Sequence, residues 1–196
     1  MNKARLKSLC VFCGSSAGTD PRLGAAAARL GQHMARAGVR LVYGGGELGL
    51  MGILARAVIE HGGHVTGIIP EHLTRVERAY DGATELLVVD SMHVRKQRMF
   101  ELADAFAVLP GGMGTLDETF EILTWKQLRL HAKPIILVNQ NGYWRKWLDL
   151  AAHVVNSGFA HPDTQRLYAV VDDVDRVLAA ASAELESSRH GEPRRF

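Results

Sequence analysis

A glycine-rich segment followed by an acidic residue is the part of the sequence with the clearest chemical potential. The run from Pro110 to Thr115 follows the apolar stretch Ala105–Leu109 and precedes a helical pattern that begins near Thr115. Glycine lets the backbone approach a ligand closely, and the free N–H groups at a helix start carry partial positive charge. The spacing therefore predicts a cradle for an anion such as a 5′-phosphate, to which the Thr115 hydroxyl would add a donor. The alternative is a tight strand-to-helix turn without a ligand.

Glu118 lies one turn into the helix that follows this predicted cradle. A carboxylate there could reach the C1′ atom of a ribose whose phosphate is held by the glycines. Hydrolysis of an N-glycosidic bond passes through a state with positive charge on the sugar. A carboxylate would stabilise that charge and orient or deprotonate water. The segment from Thr115 to Glu118 equally fits a capping box, in which Glu118 would only close the start of its own helix.

Two cations interrupt the apolar stripe of another predicted helix, Met92–Ala103. Arg95 and Lys96 fall on the same helix face as Met92 and Met99. A helix that covers a sheet should have no charge in that stripe, so the two cations either line a cavity or extend to the surface. Arginine is suited to holding phosphate or developing negative charge in fixed geometry.

A second glycine loop, Gly44 to Gly49, has the GxGxxG spacing between a predicted strand and a predicted helix, and Glu71 lies beyond the next strand. This arrangement resembles a dinucleotide fingerprint. However, the motif follows the second predicted strand rather than the first, and Glu71 falls in a predicted loop. The sequence therefore favours close packing of helix on sheet, with room for a nucleotide, over binding of NAD(P) or FAD.

The CxxC spacing of Cys10 and Cys13 raises the question of redox chemistry. The pair lies in a strand-like run, Ser8–Cys13, and residues three apart on a strand point to opposite faces. A redox CxxC usually opens a helix, where the thiolate is stabilised. We therefore expect two buried thiols in a reducing compartment.

Short apolar runs alternate with longer helical patterns along the chain. Nearly continuous apolar strands indicate burial on both faces of a parallel sheet. The alternation predicts an α/β fold: a single-domain, Rossmann-like, doubly wound parallel sheet of about seven strands with helices on both faces, over residues 1–187. The predicted strands are Ser8–Cys13, Arg40–Tyr43, His64–Ile69, Glu85–Val89, Ala105–Leu109, Pro134–Asn139 and Tyr168–Val171. The predicted helices are Pro21–Ala37, Leu50–His61, Met92–Ala103, Thr115–Leu128, Trp144–Asn156 and Asp173–Ser187.

Ligands of such sheets bind beyond the carboxyl ends of the strands. The loops after the first, second and fifth strands should therefore form the site. The polar segment Glu71–Gly82 is predicted to be an irregular, mobile loop near it, and residues 188–196 are predicted to be a disordered tail.

Composition sets the class of partner. The 196 residues are 47% hydrophobic and 22% charged, which predicts one globular domain, and a net charge of +2 does not favour nucleic acid or membrane as a partner. No apolar run approaches the roughly 20 residues that span a bilayer, and no separate signal region is apparent, so we expect a cytoplasmic protein. The nine histidines are scattered without metal-ligand spacing, so no metal site is predicted.

Several of these segments carry the signatures of one family. Pro110 to Glu118 fits the PGGxGTxxE signature of the Lonely Guy (LOG) proteins, and Met92 to Met99 fits their MxxRKxxM segment. The resemblance extends over roughly Leu9 to Val171. Further segments that resemble the family are Tyr43–Gly46, Gly49–Gly52, Gly67–Pro70, Thr124–Leu128, Lys133–Pro134 and Asn141–Trp144.

The resemblance implies a cytokinin riboside 5′-monophosphate phosphoribohydrolase, which hydrolyses AMP or N6-substituted AMP to free base and ribose 5-phosphate without a cofactor. It implies that Arg95 and Glu118 are the catalytic pair. It further implies that phosphate and nucleotide are bound by Gly111, Gly112, Gly114, Thr115, Met92, Lys96, Ser15, Ser16 and Gly45. Some relatives carry a lysine decarboxylase label, but no lysine lies in a recognisable pyridoxal phosphate site.

The resemblance also implies a homodimer or a larger assembly of dimers, with Trp125 and Leu128 either at the seam or in the core. Where many relatives have glycine after Trp-x-Gln-Leu, this sequence has Arg129. The rival hypothesis is a non-catalytic nucleotide or cofactor carrier on the same fold, as in the molybdenum-cofactor carrier proteins.

Overall fold

The computed structural model describes residues 5–190, in which seven β-strands and six α-helices alternate. The first half comprises β1 (Ser8–Phe12), α1 (Pro21–Ala37), β2 (Arg40–Tyr43), α2 (Gly49–Glu60), β3 (Val65–Pro70) and β4 (Glu85–Val89). The second half comprises α3 (Met92–Leu102), β5 (Ala105–Val108), α4 (Met113–Gln127), β6 (Ile135–Val138), α5 (Arg145–Asn156), β7 (Ala169–Val171) and α6 (Val177–His190).

All seven strands form one parallel sheet in the order β4-β3-β2-β1-β5-β6-β7. The chain runs outward from β1 to β4, and α3 then carries it back to the other side of β1. The strand order therefore reverses between β1 and β5, and a doubly wound sheet opens a ligand crevice at the carboxyl ends of such a pair. The predicted fold class is confirmed.

Two hydrophobic cores sandwich the sheet. One contains buried residues of α1, α2 and α6, and the other contains buried residues of α3, α4 and α5. Successive residues of β1 alternate between them, with Leu9 and Val11 in the first core and Cys10 and Phe12 in the second. Cys13 lies in the first core, so the two cysteines are free, buried and on opposite faces, as the strand pattern predicted.

The segment Glu71–Gly82 is more ordered than the sequence predicted. It contains a 3-10 turn, Glu71–Leu73, and a single π-helical turn, Thr74–Arg78. The backbone N–H of Tyr80 donates to the Gly45 carbonyl at 3.0 Å, and Gly46 forms an isolated antiparallel bridge with Ala79. These backbone pairings hold the segment against the end of β2, which its polar sequence did not reveal.

The last helix also differs from its prediction. The side chain of Asp173 accepts a hydrogen bond from the N–H of Asp175 and caps a 3-10 turn, Val174–Arg176, so α6 begins only at Val177. α6 continues to His190, three residues into the segment predicted as a tail. The remainder of that segment, residues 191–196, lies outside the described residues.

Arg129 occupies a position whose backbone conformation favours glycine. It follows α4 with a φ of 60°, the left-handed conformation that favours glycine after a helix. The N–H of Leu130 donates to the Trp125 carbonyl at 2.9 Å, and the N–H of Arg129 donates to the Lys126 carbonyl at 3.0 Å, which closes a Schellman turn. Glycine would adopt this turn without strain.

Within residues 5–190, no helix combines the length and the apolar character that crossing a bilayer requires.

Candidate functional site

Gly14, directly after β1, joins the three loops that the sequence placed at the site. Its N–H donates to the Pro110 carbonyl at 3.0 Å, and its carbonyl accepts from the N–H of Leu50 at 3.0 Å. The loops after β1, β2 and β5 therefore meet at one point, beyond the reversal of the strand order. Ser15 and Ser16, which follow Gly14 directly, are exposed.

The glycine loop after β5, residues Pro110–Thr115, is here called the outer glycine loop. Gly112 is the N-cap of α4, and as a glycine it has no side chain to accept a hydrogen bond from the helix start. A Cβ atom added to Gly112 or Gly114 would meet no atom within 4 Å, so the backbone there faces open space. By contrast, a Cβ atom on Gly111 would overlap the Thr115 side chain. The arrangement leaves the first N–H groups of α4 accessible to an anion.

The capping-box interpretation of Glu118 is wrong. α4 begins at Met113 rather than near Thr115, so Thr115 already lies within the helix and cannot act as its N-cap. The Thr119 hydroxyl donates to the Thr115 carbonyl at 2.6 Å, as in an ordinary helix turn. None of the hydrogen bonds identified in residues 5–190 uses the Glu118 carboxylate, and Glu118 is only partly shielded from solvent.

Glu118 has an unusual proton affinity for a carboxylic acid. Burial raises its pKa to about 7, the positive charge of Arg95 opposes that rise, and Glu77 and Asp117 reinforce it. A carboxyl group with this pKa exchanges protons at neutral pH, which suits general acid–base work. Glu118 follows the outer glycine loop by about one turn of α4.

Arg95 lies inside the protein rather than at its surface. Its side chain is 5% exposed, its Nε donates to the Ile68 carbonyl at 3.1 Å, and its Nη2 donates to the Gly44 carbonyl at 2.7 Å. These bonds bring the guanidinium of α3 across to the ends of β2 and β3. The remaining contact of Nη1, to the Met92 sulfur at 3.8 Å, is weak, so Nη1 keeps capacity for a further acceptor.

Glu77 is a member of the site that the sequence did not single out. Its Oε2 lies 3.1 Å from Arg95 Nη2, and its side chain is 20% exposed. A buried cation in an apolar stripe needs an anionic partner, so Arg95 itself was a signal that an acidic residue should lie near it. Glu71, Glu77 and Asp81 were equally available in the segment, and only the π-helical turn selects Glu77 among them.

Lys96 links the two helices that carry the predicted catalytic residues. Its Nζ lies 3.2 Å from Asp117 and 3.0 Å from Glu121, so it pairs α3 with α4. Burial lowers the pKa of Lys96, but the hydrogen bonds and charges of Glu121 and Asp117 outweigh it and raise the pKa overall. The structure therefore places Lys96 beside the site as a fixed cation, and Met92 beside Arg95.

The loop Gly44–Gly49 is here called the inner glycine loop, and its space is filled by the protein itself. A Cβ atom on Gly44 would overlap the Arg95 guanidinium, and one on Gly49 would overlap the backbone of Ser15 and Ser16. Gly45 is buried, has a φ of 78° and packs against Ile69. The close packing expected of this loop is present, but the room for a nucleotide that was also expected is taken up by protein atoms. The loop therefore lacks the free backbone that a dinucleotide pyrophosphate needs.

The remaining candidates for chemistry contribute little. Burial, followed by the charge of Glu118, raises the pKa of both Cys10 and Cys13 well above the ordinary thiol value. Such thiols are poor nucleophiles and poor metal ligands at neutral pH. Among residues 5–190 there is no group of three His, Cys, Asp or Glu side chains placed to hold a metal ion.

Comparison with known proteins identifies relatives of this chain. Residues 51–181 match a family model described as "Possible lysine decarboxylase". The chain is 47% identical over 175 residues to a cytokinin riboside 5′-monophosphate phosphoribohydrolase of Rhodococcoides fascians, covering 89% of this chain and 88% of the relative. It is 44% identical over 165 residues to the cytokinin riboside 5′-monophosphate phosphoribohydrolase LOG7 of Arabidopsis thaliana, covering 84% of this chain and 76% of the relative.

Solved structures share the fold at lower identity. The Moco carrier protein of Chlamydomonas reinhardtii superposes with a TM-score of 0.69 at 23% identity, covering 93% of this chain and 99% of that chain. At this identity the likeness extends to the fold alone. The sequence relatives, by contrast, are similar enough and long enough to assign a family, and the chain belongs to the LOG family of cytokinin riboside 5′-monophosphate phosphoribohydrolases.

Proposed function

We propose that this protein hydrolyses the N-glycosidic bond of nucleoside 5′-monophosphates, AMP or N6-substituted AMP such as a cytokinin riboside 5′-monophosphate, to free base and ribose 5-phosphate. The activity named for its relatives at 44–47% identity supports this proposal. The observation that carries it is the Glu118 carboxyl group, partly buried, outside any hydrogen bond identified in residues 5–190, and located behind the open start of α4.

In this proposal the outer glycine loop binds the 5′-phosphate through the N–H groups around Gly112 and Gly114, with the Thr115 hydroxyl as a further donor. Ser15 and Ser16 border the nucleotide from the loop after β1. Gly111 does not need to touch the ligand, because it makes room for the Thr115 side chain.

Glu118 and Arg95 act on the reacting sugar. As the bond between C1′ and the base nitrogen breaks, ionised Glu118 stabilises the positive charge on the ribose and takes a proton from the attacking water, whose oxygen bonds to C1′. The departing base nitrogen takes up one proton from solvent, and Glu118 releases to solvent the proton it took from water, so base plus ribose 5-phosphate balances nucleotide plus water. Arg95 holds its guanidinium in place through Ile68, Gly44 and Glu77 and offers Nη1 to the substrate.

The decisive measurement is release of free base from AMP and from N6-isopentenyl-AMP. Glu118→Gln should keep nucleotide binding but lower kcat by about 10²- to 10⁴-fold, since it removes a general base. Glu101→Gln is the matched control. Glu101 is an exposed carboxylate on α3, and it accepts hydrogen bonds from Gln97 and Arg98 on the same helix. Full activity of the Glu118→Gln variant would refute the proposed role of this residue.

The same assay separates the enzyme from a carrier. A carrier would bind nucleotide tightly in calorimetry and release no base over many binding lifetimes. Base release that scales with enzyme concentration, and that disappears in Glu118→Gln, contradicts the carrier alternative.

Exposed apolar side chains support a separate proposal, which concerns the oligomeric state. Large apolar side chains are exposed along α4, α5 and the loop after α5, among them Phe120 at 46%, Leu150 at 51% and Phe159 at 88%. Contiguous apolar surface of this kind is typical of an interaction site. We infer that this face forms a homodimer. Leu128 is 63% exposed, whereas Trp125 packs edge-on against Phe100 with ring centroids 5.2 Å apart.

Light scattering after gel filtration tests the dimer. The wild-type protein should elute at twice the mass of one chain, and Phe159→Glu should shift it towards the monomer, because a charge cannot be buried unpaired in an apolar seam. A monomeric wild-type protein would refute the inference.

We also propose that the protein lies in the cytoplasm. Its two free, buried thiols support this proposal, and cell fractionation would test it.

A further inference from the structure

The loop after β6 contacts the outer glycine loop through one hydrogen bond. The hydroxyl of Tyr143 donates to the Gly111 carbonyl at 2.7 Å. β6 is the direct neighbour of β5, so the loops that follow these two strands lie side by side at the carboxyl edge of the sheet. Tyr143 is thus the link between a rigid part of the fold and the loop proposed to bind phosphate.

The turn that carries Tyr143 is itself held firmly. The buried side chain of Asn139 accepts a hydrogen bond from the N–H of Trp144 at 2.9 Å, and the Asn141 side chain donates to Asp20 at 3.2 Å. The Tyr143 ring packs edge-on against the buried Trp144, with ring centroids 4.8 Å apart. These contacts fix the ring, and with it the position of the hydroxyl.

The bond to Gly111 orients a peptide group. In a planar trans peptide the carbonyl and the following N–H point in opposite directions. With the Gly111 carbonyl directed towards Tyr143, the N–H of Gly112 must point away from the tyrosine, and a Cβ atom on Gly112 would enter open space. The two neighbouring carbonyls are likewise occupied, since Pro110 accepts from Gly14 and Gly112 accepts from Leu116.

We propose that Tyr143 is a positioning residue that sets the outer glycine loop for the phosphate by fixing the peptide between Gly111 and Gly112. This inference rests on the proposed function, because it assigns Tyr143 a task at the same site. The hydroxyl itself remains on the carbonyl side of the peptide and does not touch the ligand. Its contribution is to keep the Gly112 N–H aimed before the phosphate arrives, which reduces the cost of ordering the loop on binding.

The test is Tyr143→Phe, which keeps the ring and its contact with Trp144 and removes only the hydroxyl. The Kd for ribose 5-phosphate, measured by calorimetry, and the KM for AMP should both rise about three- to tenfold, the range expected for one lost hydrogen bond. The kcat and the Kd for adenosine, which lacks the phosphate, should stay close to the wild-type values.

Tyr168→Phe serves as the matched control. Tyr168 lies just before β7, at the amino-terminal ends of the strands rather than at the carboxyl ends, and its ring contacts Trp147. Equal affinity of the wild-type protein and Tyr143→Phe for ribose 5-phosphate would overturn the proposal, and so would an equal loss for adenosine. The proposed function fails separately, if the wild-type protein binds AMP but releases no base, and the binding comparison remains valid in that case.

Discussion

The two glycine loops look alike in sequence and serve opposite purposes in the structure. Each follows a strand of the central sheet and precedes a helix, and each has several glycines within a few residues. In the inner glycine loop the space at Gly44 is occupied by the Arg95 guanidinium, whereas in the outer glycine loop the space at Gly112 is open. Glycine thus admits part of the protein itself at one loop and leaves room for a ligand at the other.

This difference explains why the GxGxxG spacing was a poor guide to a dinucleotide. The pattern requires small residues, and either a pyrophosphate or a neighbouring side chain satisfies that requirement. Here the neighbour is the cation proposed to act in catalysis. In the proposed mechanism the inner glycine loop houses Arg95, and the outer glycine loop exposes N–H groups to the phosphate.

The largest effect is expected from a side chain placed in the inner loop. Gly44→Ala should lower kcat/KM by about 100-fold or more, because a displaced Arg95 loses its geometry. It should also lower the free energy of unfolding by about 1–3 kcal/mol, as overpacking does. Steady-state kinetics and urea unfolding measure the two effects. A variant with wild-type kinetics would show that the packing of Arg95 against Gly44 is not needed for activity.

The pH dependence tests the acid behind the outer loop. If ionised Glu118 is the working form, kcat/KM should fall about tenfold per unit as the pH drops below its pKa of about 7. The substrate phosphate titrates nearer pH ~6 and produces a separate limb. In the pH profile of the residual activity of Glu118→Gln, the decrease of kcat/KM below pH ~7 should be absent. An activity that instead increases as the pH falls through 7 would assign Glu118 the role of acid.

A side chain placed in the outer loop should affect binding alone. Gly112→Ala puts a methyl group where the phosphate is proposed to lie and should raise the KM for AMP about tenfold. It should change the free energy of unfolding by less than about 1 kcal/mol, because the added group meets no protein atom. Together with Gly44→Ala, this variant tests the comparison directly. Equal losses of stability at the two positions would abolish the distinction between a filled and an open loop.

The smallest expected effect is a gain in stability. The pKa of Glu118 in the folded protein, about 7, lies above the ordinary value of 4.5, so the folded protein retains a proton that the unfolded chain releases between these values. The free energy of unfolding therefore falls as the pH rises from about 4.5 to 7 and stays lower above that range. Glu118→Gln removes this loss and should raise Tm by a few degrees at pH ~8, for a gain on the order of 1–2 kcal/mol.

Calorimetry at two pH values checks that gain. Near pH ~4 the wild-type carboxyl group is protonated in both the folded and the unfolded state, so the two proteins should melt at similar temperatures. If the Tm of Glu118→Gln at pH ~8 is instead lower than that of the wild-type protein, the ionised carboxylate stabilises the fold, and the prediction is wrong.

Much of the fold could be predicted because continuous apolar runs mark buried parallel strands and helical patterns separate them. Arg40–Tyr43 and Glu85–Val89 match their predicted bounds. The start of α4 was misplaced by two residues, since Met113 and Gly114 resemble a loop and helix starts carry only weak local signals. That small error was what made the capping box plausible.

The sequence alone determined which strands and α-helices form, where glycine permits close approach, and that two cations lie in an apolar stripe. Only the tertiary structure decided that Gly44 is filled and Gly112 is open, that Glu77 pairs with Arg95, and that Tyr143 holds Gly111. The reason is physical. Residue types and local spacing govern secondary structure, whereas the occupant of each space depends on strand order, which brings residues 18, 32 or 51 positions apart into contact.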